Sequence, residues 1–157
     1  MSSILVRDYQ AQDAAVFRDL NLAWIEAHFS VEPEDRAQLE DPKAHILDQG
    51  GASLIATLKD EAVGTVGLVP GHEDRVLELI KMSARQDLRG VGIGRALMDA
   101  AIVQARQMSA RSIWLETNSV LDAALALYRK SGFRELSKDE QTPTPYDRCN
   151  CQMILDL

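Results

Sequence analysis

The sequence predicts one α/β or α+β domain built on a mixed β-sheet. Its 157 residues suffice for one sizeable core and are too few for two domains, so residues 1–157 are expected to form a single unit. Runs typical of strands and of helices follow one another in the order strand, two helices, three strands, helix, strand, helix and two strands. A hairpin joins two antiparallel strands, whereas a helical crossover joins two parallel ones. This order contains both kinds of connection, which predicts a mixed sheet.

The first half of the chain predicts four strands and two helices. Apolar residues recur at helical spacing from about Asp13, which is expected to cap the first helix, and a second helix is expected to begin near Pro33. The strands are predicted over residues 4–9, 53–58, 62–69 and 76–83. The last of them is a nearly continuous apolar run, broken only by Glu78 and Lys81, which is typical of a buried strand.

The second half opens with a glycine-rich turn at residues 89–94, where three glycines fall within five residues. Apolar residues then recur at helical spacing from Ile93 to Ala105, which predicts a third helix. The remaining elements are a strand, a helix and two final strands, predicted over residues 112–116, 121–131, 133–136 and 151–155. Gly132 is expected to end the last helix in the left-handed conformation.

The composition is that of a soluble globular protein and excludes several classes. A net charge of −7 argues against nucleic-acid binding, which requires a basic face, and fits a cationic partner such as an amine. No apolar run approaches about 18 residues and the start has no signal-peptide pattern, so a cytoplasmic protein without a membrane partner is expected. Two cysteines, Cys149 and Cys151, and three isolated histidines lack metal-ligand spacing, so no metal is expected. The oligomeric state stays open, a homodimer included.

The glycine-rich turn indicates a phosphate site. Glycines let the backbone approach a ligand closely, and the following helix offers unpaired N–H groups with a partial positive charge. A nucleoside-triphosphate loop requires Lys and then Ser or Thr after its last glycine, where this chain has Arg95 and Ala96. The dinucleotide pattern fails as well, because Arg95 or Leu97 stands where its third glycine belongs. A connecting turn without a ligand stays open as the alternative.

Two separated motifs resemble those of the GNAT acetyltransferases. Arg89, Gly92 and Gly94 fit the Q/R-x-x-G-x-G/A pyrophosphate loop of that superfamily, and residues 127–133, LYRKSGF, match its LYxKxGF segment. The order of elements fits too, so the resemblance covers essentially the whole chain. It implies an α+β fold with a central mixed sheet of about seven strands, about four flanking helices, and fourth and fifth strands that splay apart. The gap between those strands would receive the pantetheine arm of acetyl-CoA, the expected co-substrate.

The resemblance also implies which residues bind CoA. Backbone N–H groups of the glycine-rich turn would surround the pyrophosphate, and Arg95 would add charge or simply be a solvated helix residue. The end of the fourth strand would pair with pantetheine, and one of its N–H groups would polarise the thioester carbonyl. Many relatives carry an asparagine where this chain has Leu121, so Asn118 becomes either the substitute contact or a helix cap. The cofactor-binding residues expected on this basis are Met82, Ser83, Ala84, Arg89, Gly90, Val91, Gly92, Ile93, Gly94, Arg95, Asn118 and Tyr128.

Two residues are expected to carry the proton transfers. Tyr128 resembles the family's general acid, which protonates the departing CoA thiolate, and its alternative is a core aromatic residue. Glu78 lies eleven residues before Arg89, the spacing of the base in the family's histone-modifying members, and its apolar neighbours would raise its pKa. A base matters because an alkylamine with a pKa of about 10.4 is protonated at neutral pH. The alternatives for Glu78 are a structural or substrate-binding carboxylate, with deprotonation through water.

The segment joining the first two helices usually walls the acceptor site in this family. In this chain it mixes aromatic and acidic residues, which suits an ammonium ion through charge and cation–π contacts, with a solvated acidic helix edge as the alternative. Arg148, before the last strand, is expected to hold a substrate carboxylate, which would favour an amino acid or a peptide end. The substrate-binding residues expected are Trp24, His28, Phe29, Glu78 and Arg148.

The predicted function is an N-acetyltransferase that moves the acetyl group of acetyl-CoA to a primary amine of a small molecule, amino acid or peptide. Direct attack in a ternary complex is expected, because no cysteine lies in either motif to support an acyl-enzyme. The rival hypothesis is a non-catalytic acyl-CoA-binding or regulatory module that kept the glycine-rich turn. The presence of both Tyr128 and Glu78 argues against that rival.

Overall fold

Residues 3–88 and 90–157, which the computed structural model describes, form seven strands and four α-helices in the predicted order. The strands are β1 (Ile4–Asp8), β2 (Ala52–Leu58), β3 (Glu61–Pro70), β4 (Val76–Ala84), β5 (Ser112–Thr117), β6 (Arg134–Glu135) and β7 (Cys151–Asp156). The α-helices are α1 (Ala14–His28), α2 (Pro33–Glu40), α3 (Ile93–Gln107) and α4 (Asp122–Lys130). Short helical turns lie at Ala11–Asp13, Lys43–Leu47, Gln86–Leu88 and Lys138–Glu140.

The strands form one sheet in the order β1-β2-β3-β4-β5-β7-β6. Neighbouring strands are antiparallel except β4 and β5, which run parallel. These two pair over three residues each, from Val76 opposite Ser112 to Glu78 opposite Trp114, and then separate. The expected mixed sheet of an α+β fold, with splayed fourth and fifth strands, is confirmed.

The helices cover the two faces of the sheet separately. α3 and α4 pack on one face, around a core in which Leu97 and Ile113 are fully buried. α1 and α2 pack on the other face, where Phe17 and Ile25 are fully buried. Each such side chain stabilises the fold by roughly 1.5–3 kcal/mol. The gap between β4 and β5 is therefore reached from both helical layers. In the part of the chain that the structure describes, no helix has the length and apolarity needed to cross a bilayer.

A glycine on β3 determines how closely α3 approaches the sheet. A Cβ atom at Gly64 would lie 2.7 Å from Cγ2 of Ile93 and 2.9 Å from Cδ1 of Leu97. Both distances are shorter than packed carbon atoms tolerate. The missing side chain thus allows the first turn of α3, and the glycines directly before it, to lie against the end of β4.

β4 carries a bulge where it no longer pairs with β5. Between the pairs Thr65–Ser83 and Gly67–Ile80, one residue of β3 faces two residues of β4. The first of these two, Lys81, has a φ of 50°, in the left-handed region that residues with a Cβ rarely adopt. The Thr65 hydroxyl donates to the carbonyl oxygen of Lys81 at 2.8 Å. The bulge therefore shapes the wall of the gap.

The start of α1 differs from the prediction. Asp13 does not cap α1, because its carboxylate accepts hydrogen bonds from the Arg7 guanidinium at 2.7 and 3.0 Å and from the Gln10 N–H at 2.8 Å. These bonds close the turn Ala11–Asp13 instead. Burial raises the pKa of Asp13, but the Arg7 hydrogen bonds dominate and lower it overall. Gly132, by contrast, ends α4 with a φ of 104°, as predicted.

Candidate active site

A cavity of about 460 Å³ fills the gap between β4 and β5. Its wall comes from the separated parts of both strands, from α1, from the start of α4 and from the loop before β7. The predicted site residues that line it are Trp24, His28, Phe29, Glu78, Met82, Ser83, Ala84, Asn118, Tyr128 and Arg148. The structure thus brings together residues that are spread over more than a hundred positions of the chain.

The glycine-rich turn follows β4 and leads into α3. Gly90 and Gly92 have φ values of 81° and 90°, and a Cβ at either position would meet no atom of the described residues within 4 Å. These glycines are therefore required for backbone conformation rather than for packing. Gly92 directly precedes α3, so the free N–H groups of that helix end face the loop.

The other predicted residues of this turn have different environments. Ile93 is buried in the core below the loop, and Val91 is half exposed. Arg95 is exposed and lies 3.4 Å from Asp99, one helical turn further along. The predicted contact at Arg89 lies outside the described residues.

Tyr128 reaches the gap from the α4 side. It is buried, and its ring packs 5.9 Å from that of Phe133. Burial raises the pKa of Tyr128 to about 12, because the phenolate would lose its hydration. The phenol therefore keeps its proton at neutral pH and is available as a proton donor.

Glu78 and Glu116 enter the gap from neighbouring strands on the α1–α2 side. Burial and the nearby charge of Glu116 raise the pKa of Glu78 to about 7, although Lys81 opposes the shift. Burial also raises the pKa of Glu116, whose carboxylate accepts a hydrogen bond from the Thr144 hydroxyl. A carboxyl group that titrates near neutral pH is suited to general base catalysis.

Sequence reasoning did not identify Glu116. The available signal was its place at the end of a strand parallel to the one that carries Glu78. The carboxyl ends of neighbouring parallel strands meet at one edge, where ligands commonly bind.

A buried ionic cluster, which we call the buried triad, consists of Asp35, Lys81 and Arg148. The Asp35 carboxylate is fully buried and accepts hydrogen bonds from Lys81 Nζ at 2.8 Å and from two Arg148 nitrogens at 2.5 and 2.6 Å. Glu32 adds a weaker contact to Arg148 at 3.4 Å. Burial alone would raise the pKa of Asp35, but the two cations lower it to about 2. Among the described residues, the charges of Lys81 and Arg148 are thus balanced by the two carboxylates of Asp35 and Glu32.

Aromatic rings surround the Arg148 guanidinium. Its central carbon lies 4.5 Å from the Tyr146 ring centroid, 5.7 Å from that of Trp24 and 5.9 Å from that of Phe29. His28, at the end of α1, is exposed at the mouth of the cavity. Because Arg148 is enclosed and paired with Asp35, little of its charge is available for a substrate carboxylate.

Asn118 and Cys149 complete the far side of the gap. The Asn118 amide nitrogen donates to the Arg148 carbonyl at 2.6 Å, and its oxygen accepts from the Val120 N–H at 2.9 Å. Both groups are thus engaged within the protein. Cys149 lines the cavity as well, a position that the motifs do not reveal. Burial raises the pKa of its thiol to about 12, so it is not a thiolate at neutral pH. The described residues contain no group of three or more His, Cys, Asp or Glu side chains arranged for a metal.

The family model of the GNAT acetyltransferases matches residues 14–133 of the chain. The chain belongs to the GNAT family. The match runs from the start of α1 to Phe133, and so includes the glycine-rich turn, both strands of the gap and Tyr128.

Curated relatives agree with this GNAT assignment. The chain is 31% identical over 119 residues to an Escherichia coli (strain K12) protein named as an uncharacterized N-acetyltransferase, YjgM, and the match covers 71% of each chain. Several vertebrate proteins named as N-acetyltransferases or as N-acetylaspartate synthetase match as well, but over only 38–46% of their own length. The chain thus spans less than half of those longer proteins.

Solved GNAT structures share the whole fold. A GNAT family acetyltransferase from Staphylococcus aureus Mu50 superposes with a TM-score of 0.87 at 22% identity, covering 98% of this chain and 99% of that one. A Bacillus subtilis acetyltransferase in complex with CoA gives a TM-score of 0.69 at 21% identity, covering 100% and 99%. At these identities the likeness concerns the fold.

Proposed function

We propose that this GNAT protein transfers the acetyl group of acetyl-CoA to an amine by direct attack in a ternary complex. The observation that carries the proposal is the gap between β4 and β5, whose cavity is lined by Glu78, by Glu116 and by the protonated Tyr128. A base and an acid on opposite layers of the sheet suit a reaction that takes a proton from the attacking atom and gives one to the leaving atom.

The CoA moiety is assigned to the glycine-rich turn and the open edge of β4. The turn and the first N–H groups of α3 would hold the pyrophosphate, with exposed Arg95 adding charge. The pantetheine arm would pair with the backbone of Met82 to Ala84, whose side on the gap has no strand partner among the described residues. We assign Asn118 to holding the loop before β7 in place, since its amide groups are already bonded within the protein.

The proposed reaction proceeds through a tetrahedral intermediate. Glu78 takes a proton from the ammonium group, and the amine nitrogen then forms a bond to the thioester carbonyl carbon. A backbone N–H of β4 stabilises the resulting oxyanion. When the C–S bond breaks, the CoA sulfur takes the proton of Tyr128 and the nitrogen gives its second proton to solvent. Tyr128 then regains a proton from solvent and Glu78 releases the one it took, so both residues return to their starting states. Because Glu78 acts in its ionised form, kcat/KM should rise with pH through about 7. The protonated state of Cys149 supports direct attack over an acyl-cysteine route.

The charge balance of the cavity favours a cationic acceptor without a carboxylate beside its amine. Lys81 and Arg148 are both paired with Asp35. Among the described residues, no Lys, Arg or His forms an ion pair with Glu78 or Glu116. The wall therefore offers unpaired negative charge and aromatic faces, which attract ammonium groups and repel carboxylates.

Three acceptors of equal chain length test this proposal: 1,5-diaminopentane, 5-amino-1-pentanol and 5-aminopentanoate. CoA release is followed with a thiol reagent. We expect kcat/KM to fall about tenfold from 1,5-diaminopentane to 5-amino-1-pentanol, which lacks the second positive charge. A further fall of about tenfold is expected for 5-aminopentanoate, which adds a negative charge. Each fall corresponds to a change of about 1.4 kcal/mol. Glu116→Gln should reduce the difference in kcat/KM between 1,5-diaminopentane and 5-amino-1-pentanol. Glu135→Gln on exposed β6 should leave both differences in kcat/KM unchanged.

Each outcome has a definite meaning. CoA release with no preference against 5-aminopentanoate contradicts the acceptor class and leaves acetyl transfer standing. Binding of acetyl-CoA with no CoA release on any of the three amines, or on amino acids and peptides, favours the non-catalytic module instead.

A further inference from the structure

The buried triad connects three segments that are far apart in the chain. Asp35 lies on α2, Lys81 on the bulge of β4, and Arg148 in the loop before β7. All three side chains are at most 9% exposed. None of the three is needed for the proton transfers proposed above. The cluster nevertheless lies directly behind the stretch of β4 that would contact the thioester.

Lys81 is the residue whose backbone conformation defines the bulge. Its φ of 50° is unusual for a residue with a Cβ, and such a conformation persists only where surrounding contacts hold it. The Asp35 carboxylate holds its ammonium group at 2.8 Å, and the Thr65 hydroxyl holds its carbonyl at 2.8 Å. Thr65 in turn accepts from the Asn21 amide of α1 at 3.0 Å. Both ends of the residue are thus fixed from the α1–α2 layer.

We infer that Asp35 and Arg148 are positioning residues: through the Lys81 ammonium they fix the β4 bulge, and the bulge aims the backbone N–H groups that polarise the thioester carbonyl. This inference rests on the proposed acetyl transfer. Arg148 holds Asp35 in place by two hydrogen bonds, and Asp35 holds Lys81. Side chains on the acceptor side of the cavity therefore set the geometry of the β4 N–H groups that polarise the thioester of acetyl-CoA.

The test compares two replacements of Lys81. Lys81→Met keeps the apolar stem but loses the ammonium group, so the bulge loses its tether and kcat should fall about 10²-fold, the usual cost of one oxyanion-hole donor. Lys81→Gly also loses the tether, but glycine adopts positive φ readily. The kcat of Lys81→Gly should therefore be at least about tenfold higher than that of Lys81→Met. The KM for acetyl-CoA should change less than about threefold in both, because the glycine-rich turn is untouched.

Rates are measured from pH 7 to pH 9 and kcat is compared at the plateau of each variant, because loss of the Lys81 cation raises the pKa of Glu78 and burial lowers the pKa of Lys81 itself. Lys43→Met is the matched control. It removes a lysine from an exposed pair, 3.1 Å from Asp48, and should leave kcat unchanged. Asp35→Asn should lower kcat about tenfold or more in the native chain and by less than about threefold when Lys81→Gly is already present.

Circular dichroism and the thermal shift with acetyl-CoA identify folded variants. Should Lys81→Met not fold, the comparison of Asp35→Asn in the two backgrounds decides alone. Equal kcat for Lys81→Met and Lys81→Gly, or an equal effect of Asp35→Asn in both backgrounds, overturns the inference while acetyl transfer stands. No CoA release by the native chain on any amine removes the proposed function, and the inference with it.

Discussion

Two carboxyl groups on the same side of the sheet, the partly buried Glu78 and the fully buried Asp35, have pKa values displaced in opposite directions. Burial raises the pKa of Glu78 to about 7, and the Glu116 charge adds to the shift. Burial also acts on Asp35, but hydrogen bonds from Arg148 and Lys81 outweigh it and lower its pKa to about 2. The Asp35 carboxylate therefore stabilises the structure as an ion, whereas the Glu78 carboxyl is able to exchange a proton near neutral pH.

Replacing Glu78 by glutamine should stabilise the fold at pH 8. The unfolded carboxyl ionises near 4.5, whereas the folded one keeps its proton up to about 7. The native chain therefore loses stability as pH rises between these values, at about 1.4 kcal/mol per pH unit. Glu78→Gln avoids this loss and should gain on the order of 2 kcal/mol in the free energy of unfolding. Thermal unfolding at pH 4 and pH 8 checks the prediction.

The native chain and Glu78→Gln should have the same unfolding temperature at pH 4. At pH 8 the unfolding temperature of Glu78→Gln should be several degrees higher. Glu135→Gln on exposed β6 serves as the control and should follow the native chain at both pH values. A Glu78→Gln variant that is less stable at pH 8 would contradict the pKa of about 7.

At the level of single residues, the sequence identifies those that lie within motifs and misses those defined by distant partners. Glu78 and Tyr128 have motif neighbours at fixed spacing. Lys81 meets a partner 46 positions away, so its role depends on how α2 packs on the sheet. Arg148 has its partner 113 positions away, so the sequence alone does not reveal its pair with Asp35.

Among the elements, the turn before α3 is the most demanding in backbone conformation. Gly92→Ala should weaken acetyl-CoA binding, because alanine resists the φ of 90° and any relaxation turns the N–H groups away from the pyrophosphate. We expect the Kd for acetyl-CoA to rise about tenfold, with a loss of about 1–2 kcal/mol in stability. Isothermal calorimetry and thermal unfolding measure the two effects.

Gly50 provides the matched control, since its φ of 88° is almost the same and it lies in the turn before β2. Gly50→Ala should cost similar stability and leave the Kd for acetyl-CoA unchanged. An equal rise of Kd in both variants would mean that Gly92 acts through overall stability alone.

Element order and bounds follow closely from the sequence because periodicity is a local signal. The hairpin of β2 and β3 forms although its turn residues, Lys59 and Asp60, are not glycines; both adopt positive φ, at 52° and 64°. The cap of α1 was predicted incorrectly because Arg7 of β1 draws the Asp13 carboxylate away from the helix. That competition depends on tertiary packing, which periodicity does not record.

At the scale of the whole molecule, acetyl-CoA should raise the unfolding temperature. A ligand at a hundred times its Kd adds about 2.7 kcal/mol to the free energy of unfolding. For a domain of this size that corresponds to a midpoint higher by about 5–10 °C. Differential scanning fluorimetry with acetyl-CoA checks this, and NAD⁺, which shares the pyrophosphate but lacks pantetheine, serves as the control. No shift with acetyl-CoA would contradict the assignment of the gap.

The short pairing of β4 with β5 has a consequence for assembly. Because the strands separate after Glu78 and Trp114, the sheet has two edges in its interior, besides the outer edges at β1 and β6. Unpaired strand edges are templates for β-strands of other chains, and proteins with exposed edges tend to aggregate. Here the start of α4 and the loop carrying Tyr146 and Arg148 close over the gap. We therefore expect the gap to admit a slender unbranched chain and to exclude a polypeptide strand with its side chains.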